Sequence, residues 1–110
     1  MEPLSATLDR IRNLVAAGDA RVSEHGYDEL AADGLTAREI VAGIAEAQLI
    51  EDYPDYPKGP SVLVLQRDAA GKFIHVVWGI PKRYTGPAVL VTAYRPDLGK
   101  WETGFRRRRP

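Results

Sequence analysis

The sequence predicts one α+β domain in which two or three N-terminal helices pack on a three- to four-stranded antiparallel sheet. Apolar residues recur every three or four positions in the first half of the chain, as on one face of a helix. Three prolines within residues 54–60 then exclude a helix or a central strand. After them, apolar residues form short β-type runs bounded by turn residues. From the 110 residues we expect a single domain over 1–100 and a basic, flexible tail over 101–110.

Three helices are predicted before residue 48. The first covers residues 4–17, and its apolar stripe consists of Leu4, Leu8, Ile11 and Val15. The second begins after Ser23, a favourable N-cap, and ends at Gly34. The third begins with the capping box Thr36-Ala37-Arg38-Glu39, whose hydroxyl and carboxylate each bind an unpaired backbone N–H, and it ends near Ala47.

The predicted strands are a short one, a hairpin and a final one. The short strand covers residues 48–53, and the final strand covers residues 88–95. The two hairpin strands cover residues 61–67 and 73–79 and are joined by a turn at 68–72. The last three are apolar on both faces, and the helices can cover only one face. The other face is therefore shielded by the tail, occupied by a partner, or the floor of a binding cleft.

Composition and charge exclude several classes of protein. The chain has no cysteine, which excludes disulfides, thiolate nucleophiles and cysteine-ligated zinc. No stretch has the length of an apolar membrane span, and no signal peptide precedes the domain, so we expect a cytoplasmic protein with no membrane partner. The net charge of zero is the sum of −8 over residues 1–57 and +8 over residues 58–110, which indicates a charged ligand or partner on one side.

Two histidines are the candidates for proton transfer near neutral pH. His25 lies in the first turn of the second helix, one turn before Glu29, and His75 lies in the middle of a strand. Together they can form the acid and base of a ribonuclease that uses the substrate 2′-hydroxyl as nucleophile. The alternatives are a surface histidine beside Glu29 and a sheet histidine whose ring is satisfied by a hydrogen bond.

Cations and an aromatic ring near the last strand complete the predicted site. Arg95 can stabilise a pentacoordinate phosphorus and Tyr94 can orient the substrate. Lys82, Arg83 and Arg67 are the candidate substrate-binding residues. No metal-binding motif and no glycine-rich phosphate loop is present, so we expect neither a metal nor a cofactor.

Four short motifs, in this order, resemble the bacterial family called domain of unknown function 4258. They are Ser23-Glu24-His25-Gly26, Glu51-Asp52-Tyr53-Pro54, Ile74-His75-Val76-Val77 and Val91-Thr92-Ala93-Tyr94. The resemblance covers about residues 20–96 and implies a relation to RelE-like and BrnT-like toxins, which cleave RNA without a metal and are neutralised by an antitoxin. It implies that His25, His75, Tyr94 and Arg95 act in catalysis.

Two functions therefore follow from the sequence. The first is a toxin-like, metal-independent ribonuclease with RNA and an antitoxin as partners. The second is a non-catalytic module that keeps the fold and binds a protein or a second copy of itself. They differ in whether both histidines and Arg95 share one cleft.

Overall fold

A computed structural model describes residues 5–110, so Leu4 of the predicted apolar stripe lies outside the described residues. The helices in this part are α1 (Ala6–Ala16), α2 (Glu24–Ala32) and α3 (Ala37–Gly43), and α3 continues into a 3₁₀ turn at Ile44–Glu46. The strands are β1 (Ala20–Val22), β2 (Gln48–Tyr53), β3 (Ser61–Arg67), β4 (Phe73–Gly79) and β5 (Ala88–Tyr94). No helix in residues 5–110 is long and apolar enough to cross a membrane.

Side-chain caps determine where the helices begin. The Ser5 hydroxyl accepts a hydrogen bond from the Leu8 N–H at 3.1 Å, and the Ser23 hydroxyl accepts one from the Gly26 N–H at 2.9 Å. At α3 the predicted capping box of Thr36 is present, with its side chain and that of Glu39 each accepting from the other's backbone N–H. These bonds satisfy amide groups that the helices cannot pair internally.

The sheet has the strand order β1-β5-β4-β3-β2. β2 to β5 pair antiparallel, whereas β1 pairs parallel with β5 through Ala20 opposite Ala88. The α+β class is confirmed, but the sheet has five strands and is mixed instead of wholly antiparallel. β1 is only three residues long, too short to show an alternating pattern, and its partner lies far along the chain.

One face of the sheet packs on the helices and forms the core. Its residues include Ile74, Val76 and Trp78 of β4, each with 0% of its surface exposed. The buried Gln66 side chain accepts a hydrogen bond from the Trp78 indole at 3.0 Å and donates one to the Ile40 carbonyl at 2.9 Å. Gln66 thus joins the sheet to α3 without an unpaired buried polar group.

Helix α2 lies along the outer edge of β5, beyond the short strand β1. The Ser23 backbone N–H donates to the Leu90 carbonyl at 3.0 Å, and its hydroxyl donates to the Val91 carbonyl at 2.9 Å. A Cβ atom at Gly26 would lie 2.9 Å from the Leu90 carbonyl oxygen, so only glycine allows this approach. This contact fixes the position of α2, and with it His25.

The segment predicted to be a flexible tail packs on the opposite face of the sheet. Trp101 is 3% exposed, and its backbone forms an isolated bridge with Arg108. The Glu102 N–H donates to the Arg107 carbonyl at 2.8 Å, which closes the segment into a loop. Residues 101–110 therefore cover part of the sheet face that the helices leave free.

Candidate functional site on the second sheet face

The second sheet face is the one opposite the helices, and its register follows from strand pairing. His75 lies opposite Leu65 of β3 and Tyr94 of β5. Two residues further along β4, Val77 lies opposite Leu63 and Thr92. Paired residues share a face, so these six side chains form one continuous surface.

His75 lies at the centre of this surface and is fully buried, with 0% exposed. Its Nε2 atom is 2.7 Å from the Phe105 carbonyl oxygen, and its Nδ1 atom is 3.4 Å from the Tyr94 hydroxyl. A carbonyl oxygen can only accept, which assigns the proton to Nε2 and leaves Nδ1 as an acceptor towards Tyr94. Burial lowers the pKa of His75, so the ring is neutral at pH 7.

Glu51 and Arg108 form an ion pair beside His75. Arg108 donates from Nη2 to Oε1 of Glu51 at 2.8 Å and from Nε to Oε2 at 3.3 Å, and the Tyr53 hydroxyl donates to Oε1 at 2.6 Å. The hydrogen bonds from Arg108 lower the pKa of Glu51, which is therefore ionised at neutral pH. The carboxylate is held in a fixed orientation by Tyr53 of its own strand and by Arg108 of the C-terminal segment.

Trp101 connects these two groups. Its ring meets the His75 ring edge-on with centroids 4.4 Å apart, and the Arg108 guanidinium lies 4.6 Å from a ring centroid of Trp101. We call the side chains of Glu51, Tyr53, His75, Tyr94 and Arg108 the polar cluster. It brings a carboxylate, an imidazole, two phenols and a guanidinium together on one apolar face.

An open groove lies next to the polar cluster on the same face, with a volume of about 440 Å³. Its floor is apolar, and Tyr53 and Tyr56 line it with 41% and 50% of their surfaces exposed. Lys58, Val77, Val89 and Val91 also line the groove. The tail covers one part of this face, as one of the three alternatives predicted, and the rest of the face is open as a groove.

His25 and Arg95 do not belong to the polar cluster. The His25 side chain is 67% exposed on α2, where its Nε2 lies 3.4 Å from Glu29. Arg95 donates to Asp68 at 2.8 Å, and this hydrogen bond lowers the pKa of Asp68. Of the four predicted catalytic residues, the structure brings together His75 and Tyr94.

The predicted substrate-binding residues lie at opposite ends of β4. Arg67 is next to the start of β4, with its guanidinium 4.4 Å from the Phe73 ring centroid. Lys82 and Arg83 lie in the loop after β4, and the Lys82 N–H donates to the Lys58 carbonyl at 3.0 Å. Lys82 is therefore beside the open groove, whereas Arg67 is at the other end of the strand.

The sequence did not predict that Glu51, Tyr53 and Arg108 would join His75. Glu51 and Tyr53 are two apart on β2, a spacing that places both on one strand face. The spacing of Glu51 and Tyr53 is a local signal, but the pairing of Arg108 with Glu51 is a contact between distant residues that no periodicity reveals. In residues 5–110, no three His, Cys, Asp or Glu side chains are arranged to hold a metal ion.

These features define a small α+β domain with a polar cluster and an open groove on one sheet face. The family described as Domain of unknown function (DUF4258) matches residues 22–95, so the chain belongs to this family. The match runs from the end of β1 to the residue after β5 and includes four of the five cluster residues, all except Arg108. Neither a curated protein nor a solved structure matches the chain.

Proposed function

We propose that this domain binds single-stranded RNA in the open groove and cleaves it at the polar cluster without a metal ion. The observation that carries the proposal is the position of Glu51, His75 and Arg108 on one sheet face. Cleavage through the 2′-hydroxyl needs a base, an acid and a cation, and these three side chains supply them.

In this reaction Glu51 takes the proton from the 2′-hydroxyl, and the resulting oxygen attacks the adjacent phosphorus. The bond from O2′ to phosphorus forms and the bond from phosphorus to O5′ breaks. Arg108 stabilises the negative charge of the pentacoordinate intermediate, and His75 gives a proton to the leaving O5′. The products are a 2′,3′-cyclic phosphate and a 5′-hydroxyl.

The open groove supports binding of the rest of the strand. Exposed aromatic rings stack on bases of any sequence, and cations pair with the phosphates between them. Tyr53 and Tyr56 provide the rings, and Lys58 and the neighbouring Lys82 provide the cations. Tyr53 belongs to both the groove and the polar cluster, which makes the binding surface continuous with the reacting groups.

The C-terminal segment must move before His75 can act. Its Nε2–H is bonded to the Phe105 carbonyl, and Trp101 lies against its ring. Displacement of residues 101–105, with Arg108 still bound to Glu51 through its two hydrogen bonds, would expose the imidazole and remove the burial that lowers its pKa. The ring would then take up the proton that a general acid needs.

The test uses the 110-residue chain, a labelled RNA oligonucleotide and EDTA. We expect a 2′,3′-cyclic phosphate product, faster cleavage by Trp101→Ala, and no cleavage of the 2′-deoxy oligonucleotide. Glu51→Gln should reduce the rate about 100-fold or more, as expected for loss of a general base, whereas Glu46→Gln, an exposed carboxylate outside the cluster, should not. Equal rates for the parent and Glu51→Gln, or no cleavage by the parent and Trp101→Ala, would overturn the proposal.

The second candidate is a non-catalytic interaction module. The full burial of His75 favours it, as does the separation of His25 and Arg95 from His75, because a ribonuclease of the kind predicted from the sequence needs all three in one cleft. In this case His75 and Trp101 only hold the C-terminal segment on the sheet. The parent and Trp101→Ala would then leave RNA intact, and the protein would associate with a protein partner or with itself. The ribonuclease proposal includes a cytoplasmic location, where RNA is present, and an antitoxin partner, as for the toxins to which the resemblance points.

A further inference from the structure

A second groove lies on the helical side, with a volume of about 800 Å³. Its walls come from β1, α2 and α3, and its floor reaches core residues of β4 and β5. We call it the helical groove. Its lining residues are Ala20, Arg21, Val22, Tyr27, Ala37, Arg38, Val41, Ala42, Trp78 and Leu90.

Two of the four basic residues in the acidic half of the chain line this groove. Arg12 donates to the carbonyls of Ile44 and Ala47 and Arg10 donates to the Tyr84 carbonyl, so both hold the fold together. Arg21 and Arg38 are instead exposed at the helical groove. The groove is thus apolar at its floor and positive at its rim.

The exposed ridge of α2 has the opposite character. Tyr27 and Asp28 follow Glu24 by three and four residues, so all three lie on one face of α2. All three are exposed, and Tyr27 has 61% of its surface exposed. A large aromatic side chain in the wall of an apolar, positive groove therefore shares a helix face with two carboxylates.

We infer that this surface binds a second copy of the chain about a two-fold axis. Tyr27 of each copy would enter the helical groove of the other, with Glu24 and Asp28 facing Arg21 and Arg38. A two-fold interface requires a surface that is complementary to itself, and an acidic aromatic ridge beside a basic apolar groove meets this requirement. Tyrosine and arginine are also the residues that dominate binding energy in such interfaces.

This inference is independent of RNA cleavage, because the polar cluster lies on the opposite sheet face. The experiment is sedimentation equilibrium of the full chain at increasing concentration in 50 mM and 500 mM salt. We expect a monomer–dimer equilibrium whose dissociation constant rises in high salt. Tyr27→Ala and Arg38→Glu should each raise it about 10-fold or more, as for a central interface residue.

Two further variants make the result specific to this surface. Asp28→Arg combined with Arg38→Glu exchanges the charges and should restore much of the association. Tyr84→Ala removes an equally exposed tyrosine elsewhere, 69% exposed, and should leave the dissociation constant unchanged. All the substituted side chains are exposed, and circular dichroism of each variant should match the parent.

Two results would overturn the inference. One is a monomer over the whole concentration range in low salt. The other is a dimer that Tyr27→Ala and Arg38→Glu leave intact but Val91→Glu abolishes, since Val91 lines the open groove of the second sheet face. Loss of RNA cleavage in these variants would not bear on it, because association is measured directly.

Discussion

The Nε2 atom of His75 lies 2.7 Å from the backbone carbonyl oxygen of Phe105. This hydrogen bond joins a central strand to a segment that begins only after the last strand has ended. Trp101 covers the same imidazole from the side, with ring centroids 4.4 Å apart. The C-terminal segment is therefore held to the sheet by one buried polar contact and one buried aromatic contact.

Trp101→Ala should destabilise the chain by about 3 kcal/mol, because truncation of a buried aromatic residue leaves a cavity and loses its contacts. Urea unfolding measures the loss as a lower midpoint. Leu98→Ala is the control in the same region, since Leu98 is 53% exposed, and it should change the midpoint little. Equal midpoints for Trp101→Ala and the parent would show that the segment does not contribute to stability.

Stability should fall as the pH is lowered below about 6.5, the ordinary pKa of histidine. Burial lowers the pKa of His75 in the folded chain, so the unfolded chain binds more protons between the two pKa values. The contribution of His75 to stability is therefore fully present above its pKa in the unfolded chain. It is lost as the pH falls through its pKa in the folded chain. The pKa values of Glu39, Glu51 and Asp68 are lowered as well, but carboxyl groups titrate at lower pH than histidine. Their effect on stability therefore appears only at lower pH.

Urea midpoints between pH 7.5 and 5.5 measure this dependence. His75→Gln should flatten it, because glutamine can donate to the Phe105 carbonyl but does not titrate. Gln48→Leu, which removes no titrating group, should keep the dependence of the parent. A slope that persists unchanged in His75→Gln would assign the titrating group to another residue.

Gln66→Leu should reduce the free energy of unfolding by about 2–4 kcal/mol. Leucine fills the site but leaves the Trp78 indole N–H without its acceptor and the Ile40 carbonyl without its donor, and each unpaired buried group costs about 1–3 kcal/mol. Thermal or urea unfolding gives the value. Gln48→Leu, on the neighbouring strand and half-buried, is the matched control with an expected change below about 0.5 kcal/mol.

Gly26→Ala should destabilise the chain by about 1–3 kcal/mol, the usual cost of added volume at a packed site. The new Cβ would lie 2.9 Å from the Leu90 carbonyl and 3.1 Å from the Val91 carbonyl, so α2 must move away from β5. Hydrogen exchange of the Ser23 amide, which donates to Leu90, reports that movement. Ala31→Ser adds one atom to an exposed position of α2 and should have no such effect.

Local signals were sufficient to predict most of the elements. The bounds predicted for the strands at 48–53, 61–67 and 73–79 coincide with β2, β3 and β4, and β5 ends one residue earlier than predicted. Proline and glycine interrupt the chain at the turns, and the caps at Ser23 and Thr36 are short-range chemistry. These features depend on neighbours within a few residues.

The missed features all depend on distant contacts. β1 exists because three residues pair with β5, almost seventy positions later. Arg108 pairs with Glu51 across fifty-seven positions, and Trp101 of the same segment packs on His75. Arg95 was expected to point into a substrate cleft, but an ion pair with Asp68 holds it. Composition and spacing carry no information on which distant partner a charged side chain meets.

The position of α2 beside β5 also bears on aggregation. β1 pairs with the first part of β5, and the start of α2 binds the carbonyls of Leu90 and Val91, so this border of the sheet offers a foreign strand only the three-residue β1. The opposite border is β2, where an irregular register between Leu49 and Glu51 and the charge of Asp52 disfavour strand addition. Within the described residues, the fold thus keeps a strongly apolar sheet from extending into fibrils.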